Sequence, residues 1–102
     1  MKSKADLLKY AIVELKRLFP NAPFLGIRSE VFEGTQVKVE SLEELLDVCN
    51  KLNLLVEYYL DEDTGKVHFS TAYQGRIFVH ECIVEELYDI TNRLRELKES
   101  VV

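Results

Sequence analysis

The chain has 102 residues and a mass of 11.9 kDa, the length of one domain. Hydrophobic residues are 47% and charged residues 30%, too apolar for a disordered chain and enough for a core without disulfide staples. A formal net charge of −5 argues against a basic nucleic-acid binder, and with only 4 Gly and 2 Pro most of the chain is expected in regular elements.

In chain order, Ala5, Leu8, Ile12, Leu15 and Phe19 recur at helical spacing, so a first helix is predicted from about Lys4 to Phe19. Ser3 is its N-cap candidate, with Asp6 three residues on, and Pro20 stops it. Phe24 to Phe32 and Thr35 to Val39 flank Glu33-Gly34 and read as a β-hairpin. Ser41-Leu42-Glu43-Glu44 is a capping box, and a second helix follows to about Leu52.

Leu54 to Leu60 reads as a strand. The turn after it, Asp61 to Lys66, has Gly65 for the left-handed position, and Val67 to Tyr73 returns. Gln74-Gly75 is a tight turn into a strand from Arg76 to His80. The last helix is predicted from Cys82 to Glu99. Ile83, Leu87, Ile90, Leu94, Leu97 and Val101 make a heptad-like seam that suits packing on the first helix or a helix–helix dimer. The fold class is therefore α+β: one domain over 1–102, ordered α-β-β-α-β-β-β-α. An antiparallel sheet is expected, with the two long helices on one face.

Turn lengths set an expected strand register. A three-residue loop of Asp63, Thr64 and Gly65 places Tyr59 opposite Phe69 and Tyr58 opposite Ser70. The Gln74-Gly75 turn places Phe69 opposite His80. One face then holds Leu54, Val56, Tyr58, Leu60, Ser70, Ala72, Ile77 and Val79, and is assigned to the core. The other holds Leu55 and Thr71 together with Glu57, Tyr59, Phe69, Tyr73, Arg76, Phe78 and His80. Those last seven form the expected partner surface, because exposed aromatics rimmed by charge mark contact sites.

No residue set points to catalysis. His68 and His80 fall on opposite faces in that register, so they do not converge on a metal. His80-Glu81-Cys82 offers only two ligands. His68 opposite Glu81 suits a cross-strand polar pair better than a proton relay. Cys82 at the predicted helix start could favour a thiolate, but no base or oxyanion turn accompanies it. Cys49 lies on the apolar face of the second helix and reads as core. Asp61-Glu62-Asp63 lacks the alternating ligands of a calcium loop and reads as a solvated turn. Glu57 within an aromatic row suits a pair with Arg76 or a raised pKa if buried. No phosphate loop, dinucleotide fingerprint or nucleophile elbow is present. The expectation is no enzyme, no cofactor and no metal.

The order of elements resembles that of roadblock-type domains and, more loosely, profilin-like domains, on no residue motif. That resemblance implies two helices on one sheet face and one on the other. It also implies homodimerisation through the second helix or a sheet edge, in a scaffold or small-GTPase-regulating role. The chain departs from the pattern in its Pro20/Pro23 link and its Arg28-containing first strand.

The expected function is a small protein-interaction module, a homodimer acting as scaffold or regulator through itself or another protein. A winged-helix-like nucleic-acid-binding regulator is the alternative, weakened by Glu43, Glu44 and Asp47 against Lys51 on its recognition helix. A small inhibitor of viral or mobile-element origin also suits an acidic domain. The reduced-thiol pattern and the lack of a long apolar run suit a cytoplasmic protein with no membrane span. Abundant Glu and Lys with Gln only at 36 and 74 hints at a thermophilic source.

Overall fold

The computed structural model describes residues 3–27 and 35–100. It is one α+β domain of three helices and a five-stranded mixed sheet, in the order α1(Lys4–Leu18), β1(Phe24–Gly26), β2(Thr35–Lys38), α2(Leu42–Leu52), β3(Val56–Asp61), β4(Lys66–Tyr73), β5(Arg76–Ile83), α3(Val84–Glu99). The domain measures 37 × 36 × 20 Å, the outline of a plate two layers thick.

Both predicted caps form. The Ser3 hydroxyl accepts from Asp6 N–H at 3.2 Å, and the Ser41 hydroxyl accepts from Glu44 N–H at 3.3 Å. Asn53 ends α2 in the left-handed conformation (φ 57), where its small polar side chain is tolerated. α1 and α3 lie side by side and run in the same direction. Tyr10 meets Tyr88 with ring centroids 5.2 Å apart, and seven residues further along α1 Arg17 reaches Glu99.

The sheet order is β1-β3-β4-β5-β2. β3, β4 and β5 form an antiparallel meander, whereas β1 pairs parallel with β3 and β2 pairs parallel with β5. This corrects two expectations. The sheet is mixed rather than wholly antiparallel, and the Phe24–Val39 region is no hairpin. Its two strands lie on opposite edges of the sheet. The Gly signal at Glu33-Gly34 falls outside the described residues, as do Arg28 and Phe32. A Gly-centred turn signal gives the chance to reverse the chain but not the identity of the strand's neighbour.

The β4–β5 register is as expected: Tyr73 opposite Arg76, Phe69 opposite His80, Ser70 opposite Val79. The β3–β4 register is not. Asp61 pairs with Lys66, so Tyr58 stands opposite Phe69 and Tyr59 opposite His68. The connecting loop has one residue more than expected. Asp61 C=O accepts from Gly65 N–H at 2.8 Å, and Asp61 Oδ1 accepts from Asp63 N–H at 3.0 Å. A slip of one residue moves every side chain of a strand to the other face.

The core face therefore carries Val56, Val67, Phe69, Thr71 and Cys82, all buried. They join Leu15 and Phe19 of the α1 region, Leu46 and Cys49 of α2, and Val84, Leu87 and Leu94 of α3 in one buried cluster. All three helices thus pack on the same face. Lys98 near the end of α3 ties this layer together, lying 4.8 Å from the Phe19 ring centroid and 3.7 Å from Asp47 of α2. Among the described residues no helix lies on the other face, unlike the roadblock-type arrangement.

Candidate interaction surface

With the helices on one side, the other sheet face has no helix over it among the described residues. Leu25 of β1, Glu57, Tyr59 and Asp61 of β3, and Lys66, His68, Ser70 and Ala72 of β4 point to it. Ile77, Val79, Glu81 and Ile83 of β5 and Gln36 and Lys38 of β2 complete it. Ile77 is buried, but Leu25 and Ile83 are 46% and 44% exposed.

The row Tyr59–His68–Glu81 crosses the three central strands. The Tyr59 and His68 rings stack at 4.6 Å with 9° between planes. His68 Nδ1 is 3.4 Å from Glu81 Oε2, and Lys66 Nζ is 3.7 Å from Glu81 Oε1. This is the His68–Glu81 polar pair expected across the hairpin. A half-exposed pair of this kind adds little to stability but fixes side-chain geometry on the surface. Beside it, desolvation pushes the Asp61 carboxyl upward. Hydrogen bonds from the Asp63 and Thr64 backbone and the Thr64 side chain, with His68 nearby, outweigh that and hold it below its ordinary range.

The seven residues expected on one partner surface are divided. Glu57 and Tyr59 lie on the helix-free face. Phe69 is in the core at 1% exposure, and Phe78 is packed against it. Tyr73 and Arg76 face the helix side at the exposed β4–β5 turn. His80 also faces the helix side, with its Nδ1 2.7 Å from the Val39 carbonyl. That carbonyl can only accept, so Nδ1 carries the hydrogen. The face exchange follows from the slip in β3, compounded by a β5 strand with large apolar groups on both faces. The exposed residues Leu25 and Ile83 were missed: the first lay in a presumed hairpin and the second in a presumed helix.

The two histidines do point to opposite faces, as expected. Cys82, however, is no helix-start thiol. It lies in β5, opposite Val67, because pairing with β4 carries that strand on to Ile83. Burial, then Glu86 and Glu81, pushes its pKa up to about 11. Burial also raises the Cys49 thiol, against a smaller opposing effect of the Thr71 hydroxyl. Both shifts favour the neutral thiol over the reactive thiolate. Among the described residues no three His, Cys, Asp or Glu side chains group as a metal site, and no helix is long and apolar enough to cross a membrane.

Of the predicted α3 seam, Leu87 and Leu94 are buried and Ile90 packs against the core, whereas Ile83 lies in β5 and is exposed and Val101 is outside the described residues. Val84, Leu87, Thr91 and Leu94 are buried, while Leu97 is 60% exposed. Glu43, Glu44, Asp47 and Lys51 are on the exposed side of α2, an acidic surface that repels phosphate.

The architecture defines a class, a two-layer α+β domain in which, among the described residues, one sheet face carries no helix. Comparison with protein-family models, with curated proteins and with solved structures gives no match for this chain.

Proposed function

We propose that this chain is a small non-enzymatic protein-interaction module that works as a homodimeric scaffold or regulator in the cytoplasm. The observation that carries this reading is the sheet face without helices, where exposed Leu25 and Ile83 accompany the Tyr59–His68–Glu81 row. A solvated antiparallel sheet usually turns polar side chains outward. Aliphatic and aromatic groups set among charges are instead the composition of a contact surface. The two buried thiols support a non-catalytic role and suit a reducing compartment.

Sedimentation velocity from low to high micromolar concentration tests the reading, paired with affinity capture from the native host using wild type and Tyr59→Ala. A dimer mass, or a partner held by wild type and lost by Tyr59→Ala, supports it. A strict monomer whose captured proteins ignore Tyr59→Ala removes it.

A further inference from the structure

We infer that the middle of the helix-free face is covered by the chain's own link from β1 to β2, residues 28–34, rather than by a partner. The inference goes beyond the reading above. It stands on the two ends of that link, since the link itself lies outside the described residues. Gly26, on one edge of the sheet, is level with Tyr58, Phe69 and His80; Thr35, on the other edge, is level with Arg76. Four strand spacings separate them across the sheet and four residues along it, about 19 Å by 13 Å, or roughly 23 Å on the diagonal. Nine residue steps from Gly26 to Thr35 span at most about 32 Å. Round the Asp61 and Ile83 end of the sheet the shortest path is about 44 Å. Round the Gln74-Gly75 turn it is about 32 Å before the turn's own atoms are cleared. Only a path over one face is left.

Three observations select the helix-free face. The opposite face is already filled, because Leu15, Leu46, Cys49 and Leu87 of the helices share one buried cluster with Val56 and Phe69 of the sheet. Handedness agrees. β1, β2 and β3 run parallel, and α2 carries the chain from β2 back across the sheet to β3 on the helix side. Two successive crossovers that travel in opposite directions share one hand only on opposite faces, and about 98% of parallel crossovers are right-handed. Burial agrees as well. Ile77 points to the helix-free side yet is only 4% exposed, which a sheet face open to water does not allow. The line from Gly26 to Thr35 passes Glu57, Ser70 and Ile77, of which the first two are half-buried. Lys38, Lys66, Glu81 and Ile83, away from that line, are exposed. The link contains Val31 and Phe32, the apolar residues that Ile77 needs as neighbours. The corner at Lys66, Glu81 and Ile83 stays open to a partner.

The test is nuclear Overhauser spectroscopy on the full wild-type chain with labelled isoleucine, leucine and valine methyls. The expected result is contacts from the Ile77 methyls to side chains of residues 28–34, equally strong at low and high protein concentration. They should vanish from a mixture of labelled and unlabelled chains filtered for contacts between molecules. Phe32→Asp and Val31→Asp give a second readout, each shifting the Ile77 methyl signals and leaving those of Leu87 in place; one serves if the other variant fails to fold. Contacts of Ile77 that appear only between molecules would assign the face to a second copy and overturn the inference, while supporting self-association. Contacts of residues 28–34 with Leu46 or Leu87, or none with Ile77, would overturn it as well and leave the self-association reading untouched.

Discussion

The Val84 N–H donates to the Gly65 carbonyl at 3.0 Å, so the β3–β4 turn holds the first residue of α3. Gly65 has φ +73, and a Cβ there would come 2.7 Å from Lys4 Nζ. Lys4 Nζ is the far end of a flexible side chain and can move; the backbone conformation cannot change without losing the Val84 bond. Gly65→Ala is expected to destabilise the fold by about 1–2 kcal/mol, through left-handed strain. Urea unfolding of the two proteins measures it. A change within error would show that the turn relaxes freely.

At the other hairpin, Gln74 and Gly75 both have positive φ, 50 and 75. This is the two-residue turn that matches the twist of its strands, and Asn is preferred to Gln at its first position. Gln74→Asn is expected to stabilise by about 0.5 kcal/mol. The readout is a raised melting temperature. A lowered one would indicate that the contact of the Gln74 amide with the Tyr73 hydroxyl, at 3.3 Å, outweighs the backbone preference.

His80 joins β5 to the end of β2. Its Nδ1–H donates to the Val39 carbonyl at 2.7 Å, while its Nε2 is buried with no partner. Removing the ring loses a hydrogen bond and also removes a desolvated nitrogen, and the two effects oppose each other. His80→Leu is therefore expected to change global stability by less than about 1 kcal/mol. Hydrogen exchange at the β2 amides should quicken, while the β3–β4 amides keep their protection. Unchanged β2 exchange would mean that its backbone pairing with β5 suffices.

Much of this fold is written in local chemistry. Ser3 and Ser41 announce helix starts because a hydroxyl satisfies an N–H within one turn, and Gln74-Gly75 fixes a register because only two residues intervene. The β3–β4 register was not legible, because Gly65 supplies its left-handed residue to a loop of three or of four residues. What selects four is the set of hydrogen bonds onto Asp61, together with the placing of Tyr58 beside Phe69, their centroids 6.4 Å apart. Neither can be counted along a sequence. The edge positions of β1 and β2 were hidden for the same reason, since their neighbours lie 32 and 41 residues away, at Val56 and Arg76. The candidate surface inherits both errors: Glu57 and Tyr59 lie on it, whereas Phe69 and Phe78 exchange faces with Ser70 and Val79.

Cys82 gives the pH prediction. Its folded pKa, pushed up to about 11 by burial and then by Glu86 and Glu81, exceeds the ~8.5 of an unfolded thiol. The unfolded chain therefore loses the proton first as pH rises. The contribution is complete below about pH 8.5 and is lost as pH climbs toward 11, by up to about 3 kcal/mol unscreened and about 2 kcal/mol once partial solvent screening is allowed for. Cys49, raised in the same direction, adds to it. Between pH 8 and 10.5 wild type is expected to lose more stability than Cys82→Ala, measured as the difference in denaturation midpoints so that lysines and tyrosines cancel. At pH 8 the native protein should resist a thiol-reactive dye that labels both cysteines within minutes in denaturant. Rapid labelling of native Cys82, or equal pH slopes for the two proteins, would show that the β5 thiol is open to solvent.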